Sequence, residues 1–151
     1  MSTLNPDNPK HAEAARRLRE ELIIWLTTVT GAGQPQSTPV WFLWDGEEFL
    51  IYGSKDGPKT RSIEGNPRVS LHLEGNGRGG GNVIFEGTAR VDPDGPQADD
   101  VPAYVEKYQS LIDSYGWTPG SFAADYPDQS PMSARPTPTC MATEALMTGE
   151  K

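Results

Sequence analysis

The dipeptide Asp45-Gly46 lies between two β-rich runs, residues 36–44 and 48–52, and restricts the fold more than any other feature. Asp-Gly accommodates the positive φ of a tight two-residue hairpin, so the flanking runs are expected to pair antiparallel. Similar punctuation recurs along the chain. Leu22 to Thr30 is β-rich and ends at Gly31, and Gly33-Gln34-Pro35 marks a turn. Pro39 within residues 36–44 implies an edge strand or a bulge, because proline cannot donate to a ladder. Val69, Leu71 and Leu73 alternate with Ser70, His72 and Glu74. Residues 83–91 form a further strand, closed by Asp92-Pro93-Asp94-Gly95-Pro96.

Helices flank these strands. Asn8-Pro9 reads as an N-cap with proline at the first helical position. Ala12, Ala15, Leu18 and Leu22 then recur at helical spacing, with Arg16, Arg17, Arg19 and Glu20 on the other face. Val101, Tyr104, Val105, Tyr108, Leu111, Ile112 and Tyr115 form the stripe of a second helix that Gly116 closes. Thr118-Pro119 starts a further short helical piece through Phe122 to Tyr126. The expected fold is mainly β with flanking helices, an antiparallel sheet curled into a small barrel. Residues 1–126 form one domain. Residues 127–151 carry Pro131, Pro136 and Pro138 without a clear period and are expected to be an irregular tail.

Charge is distributed unevenly. The chain has a formal charge of −8 and a pI near 4.7, which argues against binding nucleic acid. Yet residues 55–68 hold Lys55, Lys59, Arg61 and Arg68 against Asp56 and Glu64, a net of +2, leaving −10 for the rest. Within this stretch Ser54, Thr60 and Ser62 add hydroxyls, and Gly57-Pro58 opens a short helix. Cations, hydroxyls and free N–H groups at a helix start together suit a phosphate. Only 35% of residues are apolar and mean hydropathy is −0.59, a lean composition that points to surface buried against a second copy. Cys140 stands alone, so an internal disulfide is excluded, and two histidines with one cysteine are too few for a zinc site. No signal-peptide layout and no apolar run of membrane-spanning length are present, so a cytoplasmic protein without membrane contact is expected.

Other motifs carry less. Gly75-Asn76-Gly77-Arg78-Gly79-Gly80 matches G-x-G-x-x-G, but a strand follows it where a dinucleotide site needs a helix, so it reads as a hairpin loop. His72, beside Ser70 and Glu74 on the polar side of its strand, is one candidate proton donor, a bound water the other. His11 is the second histidine. Cys140 has no base or cation cluster to activate it. Trp41, Phe42 and Trp44 serve as core or as the wall of a planar ligand.

Taken together, Gln36-Ser37-Thr38-Pro39-Val40-Trp41-Phe42, Asp45-Gly46, Ser54-Lys55, Lys59-Thr60-Arg61-Ser62-Ile63, Asn66-Pro67-Arg68-Val69-Ser70-Leu71 and Val83-Ile84-Phe85-Glu86-Gly87-Thr88-Ala89 carry a resemblance. The chain resembles the pyridoxamine-5′-phosphate-oxidase-like flavin and deazaflavin proteins, in particular their F420-dependent oxidoreductase branch, over residues 12 to about 126. The resemblance implies a split β-barrel homodimer with a cofactor, coenzyme F420 or alternatively FMN, in a groove at the dimer interface. It implies that Ser54, Lys55, Lys59, Thr60 and Arg61 hold the cofactor phosphate and that Val40 and Trp41 flank its ring system. Residues near Trp117 and Phe122 would close the partner's site. The implied activity is hydride transfer between reduced F420 and a small unsaturated organic substrate. A flavoprotein of the same fold and a non-catalytic cofactor carrier are the alternatives. Arg16, Arg17 and Arg19 would favour an acidic cofactor tail if they reach the groove. Family members usually end with a closing β-strand. The prolines of residues 129–139 argue against one here, which suggests either a lost strand or a reading-frame change near residue 128.

Overall fold

The Asn8 side chain accepts from the Lys10 N–H and Pro9 takes the first helical position, starting helix α1 (Pro9–Glu20). In the computed structural model, which describes residues 4–5, 7–116 and 129–137, seven strands follow. They are β1 (Ile24–Val29), β2 (Pro35–Val40), β3 (Leu43–Trp44), β4 (Phe49–Ser54), β5 (Arg68–His72), β6 (Ile84–Val91) and β7 (Gln129–Pro136). Helix α2 (Pro58–Gly65) lies between β4 and β5. A 3₁₀ turn (Ala98–Asp100) and helix α3 (Pro102–Ser114) lie between β6 and β7. All pairings are antiparallel, in the order β2-β1-β5-β6-β7-β4-β3.

Period-2 alternation decides which side chains fill the core. Ile24, Leu26 and Thr28 of β1 face inward, as do Phe49 and Ile51 of β4, Leu71 of β5 and Phe85 of β6. Leu18 of α1 and Ile63 of α2 complete this core. Phe49 sits at its centre, 5.3 Å from the Phe85 ring and 5.9 Å from that of Phe42. The opposite face of β4 presents Leu50 and Tyr52 to Tyr104, Tyr108 and Ile112 of α3, which build a second cluster. There the Tyr108 hydroxyl accepts from the Phe42 N–H at 2.7 Å and donates to the Leu22 carbonyl at 2.6 Å. The first bond satisfies a backbone group at the joint between β2 and β3, where the single expected strand of residues 36–44 divides in two, and the second ties that joint to the segment before β1.

Residues 129–136, expected to be irregular, instead form β7 in the interior of the sheet, between β6 and β4. The prolines are tolerated because neither missing donor faces a continuing ladder. In a strand, the N and C=O of one residue point to the same side. The Pro131 carbonyl accepts from the Asp92 N–H, beyond the end of β6, and the last β6 pair is Val91 with Met132. Pro136 points the other way, toward β4, whose ladder already ended at Phe49 opposite Ala134. The closing strand is therefore present, and the motive for invoking a reading-frame change disappears. The short helical piece expected from Thr118 to Tyr126, and Cys140, lie outside the described residues. Among the described residues, no helix is long and apolar enough to cross a membrane.

Candidate anion-binding site

Helix α2 begins without a side-chain cap. Gly57 is its N-cap, Pro58 its first residue, and the Arg61 N–H is bonded to the Gly57 carbonyl. The Lys59 and Thr60 N–H groups precede that bond and have no intrahelical acceptor. The loop before the helix is tied at the Ser54 carbonyl, which accepts from the Gly57 N–H at 3.0 Å and the Thr60 hydroxyl at 2.5 Å. Thr60 is thus turned inward and buried, so its side chain fixes the loop and does not stand on the rim where a phosphate contact was expected. Ser54, Lys55 and Arg61 remain exposed.

Across from this helix start lies β2, the edge of the sheet. A pocket of about 540 Å³ between them is lined by Thr28, Gln36, Ser37, Thr38, Pro58 and Lys59. Opposite Leu26 in the β1 register, Thr38 has a buried Oγ1 with no hydrogen-bond partner. Buried hydroxyls seldom stay unsatisfied, because the lost water bonds are expensive. The Ser37 hydroxyl is 2.6 Å from that of Thr27. Among the described residues, Lys55, Lys59, Arg61 and Arg68 form no ion pair, although the chain is rich in carboxylates that could have neutralised them. An unpaired cation, an unsatisfied hydroxyl and a helix start across one pocket fit the oxygens of a phosphate.

The two residues expected to wall the ring separate. Val40 continues the inward face of Thr38 along β2 and is buried in the main core. Trp41 turns to the other side and stacks on Tyr108, with ring centroids 4.4 Å apart and planes 1° apart. His72 does not line the pocket. Its Nδ1 lies 3.1 Å from the Leu73 carbonyl and its ring stacks on Trp25. Two of the three α1 arginines are engaged elsewhere, and Arg19 does not line the pocket. Arg16 pairs with Glu13 and Glu20, and Arg17 pairs with Glu21 while donating to the Glu74 and Gly81 carbonyls. Arg17 thereby anchors the glycine-rich hairpin loop, and neither arginine lines the Lys59 pocket. Trp117 and Phe122 lie outside the described residues.

Lys107 was not singled out by the sequence, where it looks like any solvated helical lysine. Its Nζ donates to the Phe42 carbonyl at 2.8 Å and the Leu18 carbonyl at 3.2 Å, and lies 3.5 Å from the Phe42 ring centroid. Burial lowers its pKa to about 8, against the opposing pull of Glu21. The unfolded chain holds this proton up to the ordinary lysine range, so between pH 8 and about 10 the unfolded state binds more protons. Stability from this group therefore rises with pH in that window. Above pH 10 the buried tyrosines, whose pKa values burial raises, act in the opposite direction. Chemical denaturation at pH 8 and 10 is expected to show a smaller gain for Lys107→Met than for the unaltered protein. An equal gain in both would remove the assignment.

An antiparallel curled sheet with flanking helices, and a pocket at its edge, defines the class of small β-barrels. A family model described as pyridoxamine 5′-phosphate oxidase matches residues 11–135, and the chain belongs to that family. All but the last residue of its closing strand falls within the match. Among solved structures, an F420 reductase is 28% identical, with a TM-score of 0.59 over 81% of this chain and 91% of that one. The heme storage protein HutZ from Vibrio cholerae is 19% identical, with a TM-score of 0.61 over 83% and 89% of the two chains. A FAD-binding protein from Mesorhizobium loti is 19% identical, with a TM-score of 0.59 over 83% and 86%. The last two likenesses concern the fold, which is the split barrel.

Proposed function

We propose that this protein is an oxidoreductase that uses coenzyme F420 to reduce a small unsaturated organic substrate, acting as a homodimer. The observation that carries the reading is the pocket between α2 and β2, where Lys59 and the unpartnered Thr38 hydroxyl await an anion. Likeness to an F420 reductase over most of both chains favours the deazaflavin over a flavin. Lys59, the Thr38 hydroxyl and the first N–H groups of α2 would hold the phosphate, with Lys55 and Arg61 adding positive potential from the exposed rim. The β2 backbone from Thr38 to Val40 runs from that phosphate site toward the core and would set the position of the ring system. When bound, the reduced cofactor supplies the hydride. Lys59 is the one titratable side chain among the described residues lining the pocket. The residues here accordingly bind, orient and exclude water rather than exchange protons with substrate. Since among the described residues β2 pairs on one side only, its other edge would leave room for the second copy to complete the groove.

A fluorescence titration of the purified protein with F420, and separately with FMN, tests the reading. Saturable, selective F420 binding at micromolar concentration or below is expected. Preference for FMN would make the protein a flavoprotein of the same fold. Binding of neither would overturn the cofactor site.

A further inference from the structure

A second cavity, of about 580 Å³, opens between helix α1 and the β3–β4 turn and shares no lining residue with the Lys59 pocket. Its volume is that of a small-molecule site. His11, Ala15 and Arg19 contribute one stripe of α1, spaced i, i+4 and i+8, and Ala12 lies beside them. The opposite wall is Trp44 with Asp45. Small alanines facing an indole leave a flat apolar slot with a polar group at each end.

The two ends differ in chemistry. His11 is only 6% exposed, and its Nδ1 accepts from the Asn5 N–H at 2.9 Å. In the neutral ring the proton therefore lies on Nε2, and that buried donor has no partner. A buried N–H without an acceptor is costly, so an acceptor oxygen placed at this end of the cavity would be favoured. At the other end, Arg16 and Arg17 are drawn to glutamates while Arg19, among the described residues, has no ion pair. Asp45, the anion of the opposite wall, forms no ion pair with Arg19. Its carboxylate already accepts from the Glu47 N–H at 2.8 Å and the Glu48 N–H at 2.7 Å, which shape the hairpin turn.

We infer that this cavity is a binding site for an aromatic carboxylate, its carboxylate held by Arg19, its ring between Ala12, Ala15 and Trp44, and an oxygen at its far end accepting from His11. Two helical turns separate His11 and Arg19, roughly 12 Å between Cα atoms, and helical side chains lean toward the N-terminus, so Arg19 leans back along the slot. That span suits a fused two-ring acid better than a single ring. The site does not depend on the cofactor reading.

The probe is 6-hydroxy-2-naphthoate, followed by its own fluorescence, with 2-naphthoate lacking the far oxygen and 2-naphthol lacking the carboxylate. Saturable binding of the hydroxy acid is expected, and each simplified probe should bind about tenfold more weakly. Arg19→Gln should weaken both acids about tenfold and leave 2-naphthol unchanged. Ala15→Leu, which fills the slot, should weaken all three probes. His11→Phe should bring the hydroxy acid down to the affinity of 2-naphthoate. Because that variant removes a buried residue, the comparison of the two acids on the unaltered protein tests the same contact. Lys59→Ala should change none of these affinities, which separates this site from the anion pocket. No saturable binding below millimolar probe, or binding that survives Arg19→Gln and Ala15→Leu, would overturn the site. Equal affinity for the two acids would overturn the contact with His11.

Discussion

Gly87→Ala is expected to destabilise the protein by about 3 kcal/mol, lowering its melting temperature by about 6–12 °C for a chain of this size. A Cβ at Gly87 would lie 2.2 Å from the Arg135 carbonyl oxygen and 2.9 Å from the Arg135 carbonyl carbon and Pro136 Cα. These are backbone atoms of β7, opposite Gly87 in the register, and they cannot rotate aside as a side chain could. Relief requires β7 to move, yet β7 is hydrogen-bonded to β4 on its other edge and buries Met132 and Ala134 in the core. The added methyl thus opposes two ladders and part of the core at once, placing it at the upper end of overpacking costs. Gly53 makes a useful contrast. Its nearest obstacle is the Met132 Cε at 2.6 Å, the tip of a flexible side chain, so Gly53→Ala should have a smaller effect. Gly31 has nothing within 4 Å, and Gly31→Ala should melt within a degree or two of the unaltered protein. Thermal melts of the three variants would test the series. If Gly87→Ala melted like Gly31→Ala, the pairing of β6 with β7 would be wrong.

The same strand shows where the sequence stops being legible. Alternation, hairpin turns and caps all describe a segment together with its immediate neighbours, and they located α1, α3 and, as five strands, the residues of β1 to β6. The prolines of β7 look prohibitive under the same local rules. Whether a missing N–H matters depends on where β4 and β6 end, and no property of residues 129–136 encodes that. Gly87 carries the relevant signal in its own strand, but a glycine in a strand does not say which backbone approaches it. The candidate site divides in the same way. Charge contrast identified the segment containing Lys59, because a net of +2 over residues 55–68 of an acidic chain is visible without a fold. Trp41 and Val40 are adjacent in sequence, and a strand sends adjacent residues to opposite faces, so they could not both line one pocket wall. The roles of Lys107 and Tyr108 depend on a helix meeting the joint at Phe42, a long-range contact that their helical spacing cannot specify.

Lys59→Ala is expected to weaken F420 binding by roughly 1.5–3 kcal/mol, about 10- to 150-fold, the range for a charge-assisted hydrogen bond to phosphate. Arg61→Ala should cost less, because Arg61 is exposed outside the pocket and acts through a field that salt screens. Raising the salt concentration should therefore narrow the gap between Arg61→Ala and the unaltered protein more than the gap for Lys59→Ala. Thr38→Val distinguishes a ligand site from a merely basic surface. The hydroxyl is buried and unpartnered, so replacing it by a methyl of similar size should leave the free protein as stable as before or slightly more so. If a phosphate oxygen is its intended partner, the same substitution should nevertheless weaken cofactor binding. A residue that only packs against β1 would not move stability and affinity in opposite directions. Lys59→Ala and Thr38→Val proteins that both bind F420 as the unaltered protein does would place the phosphate elsewhere, even if the cofactor identity were right.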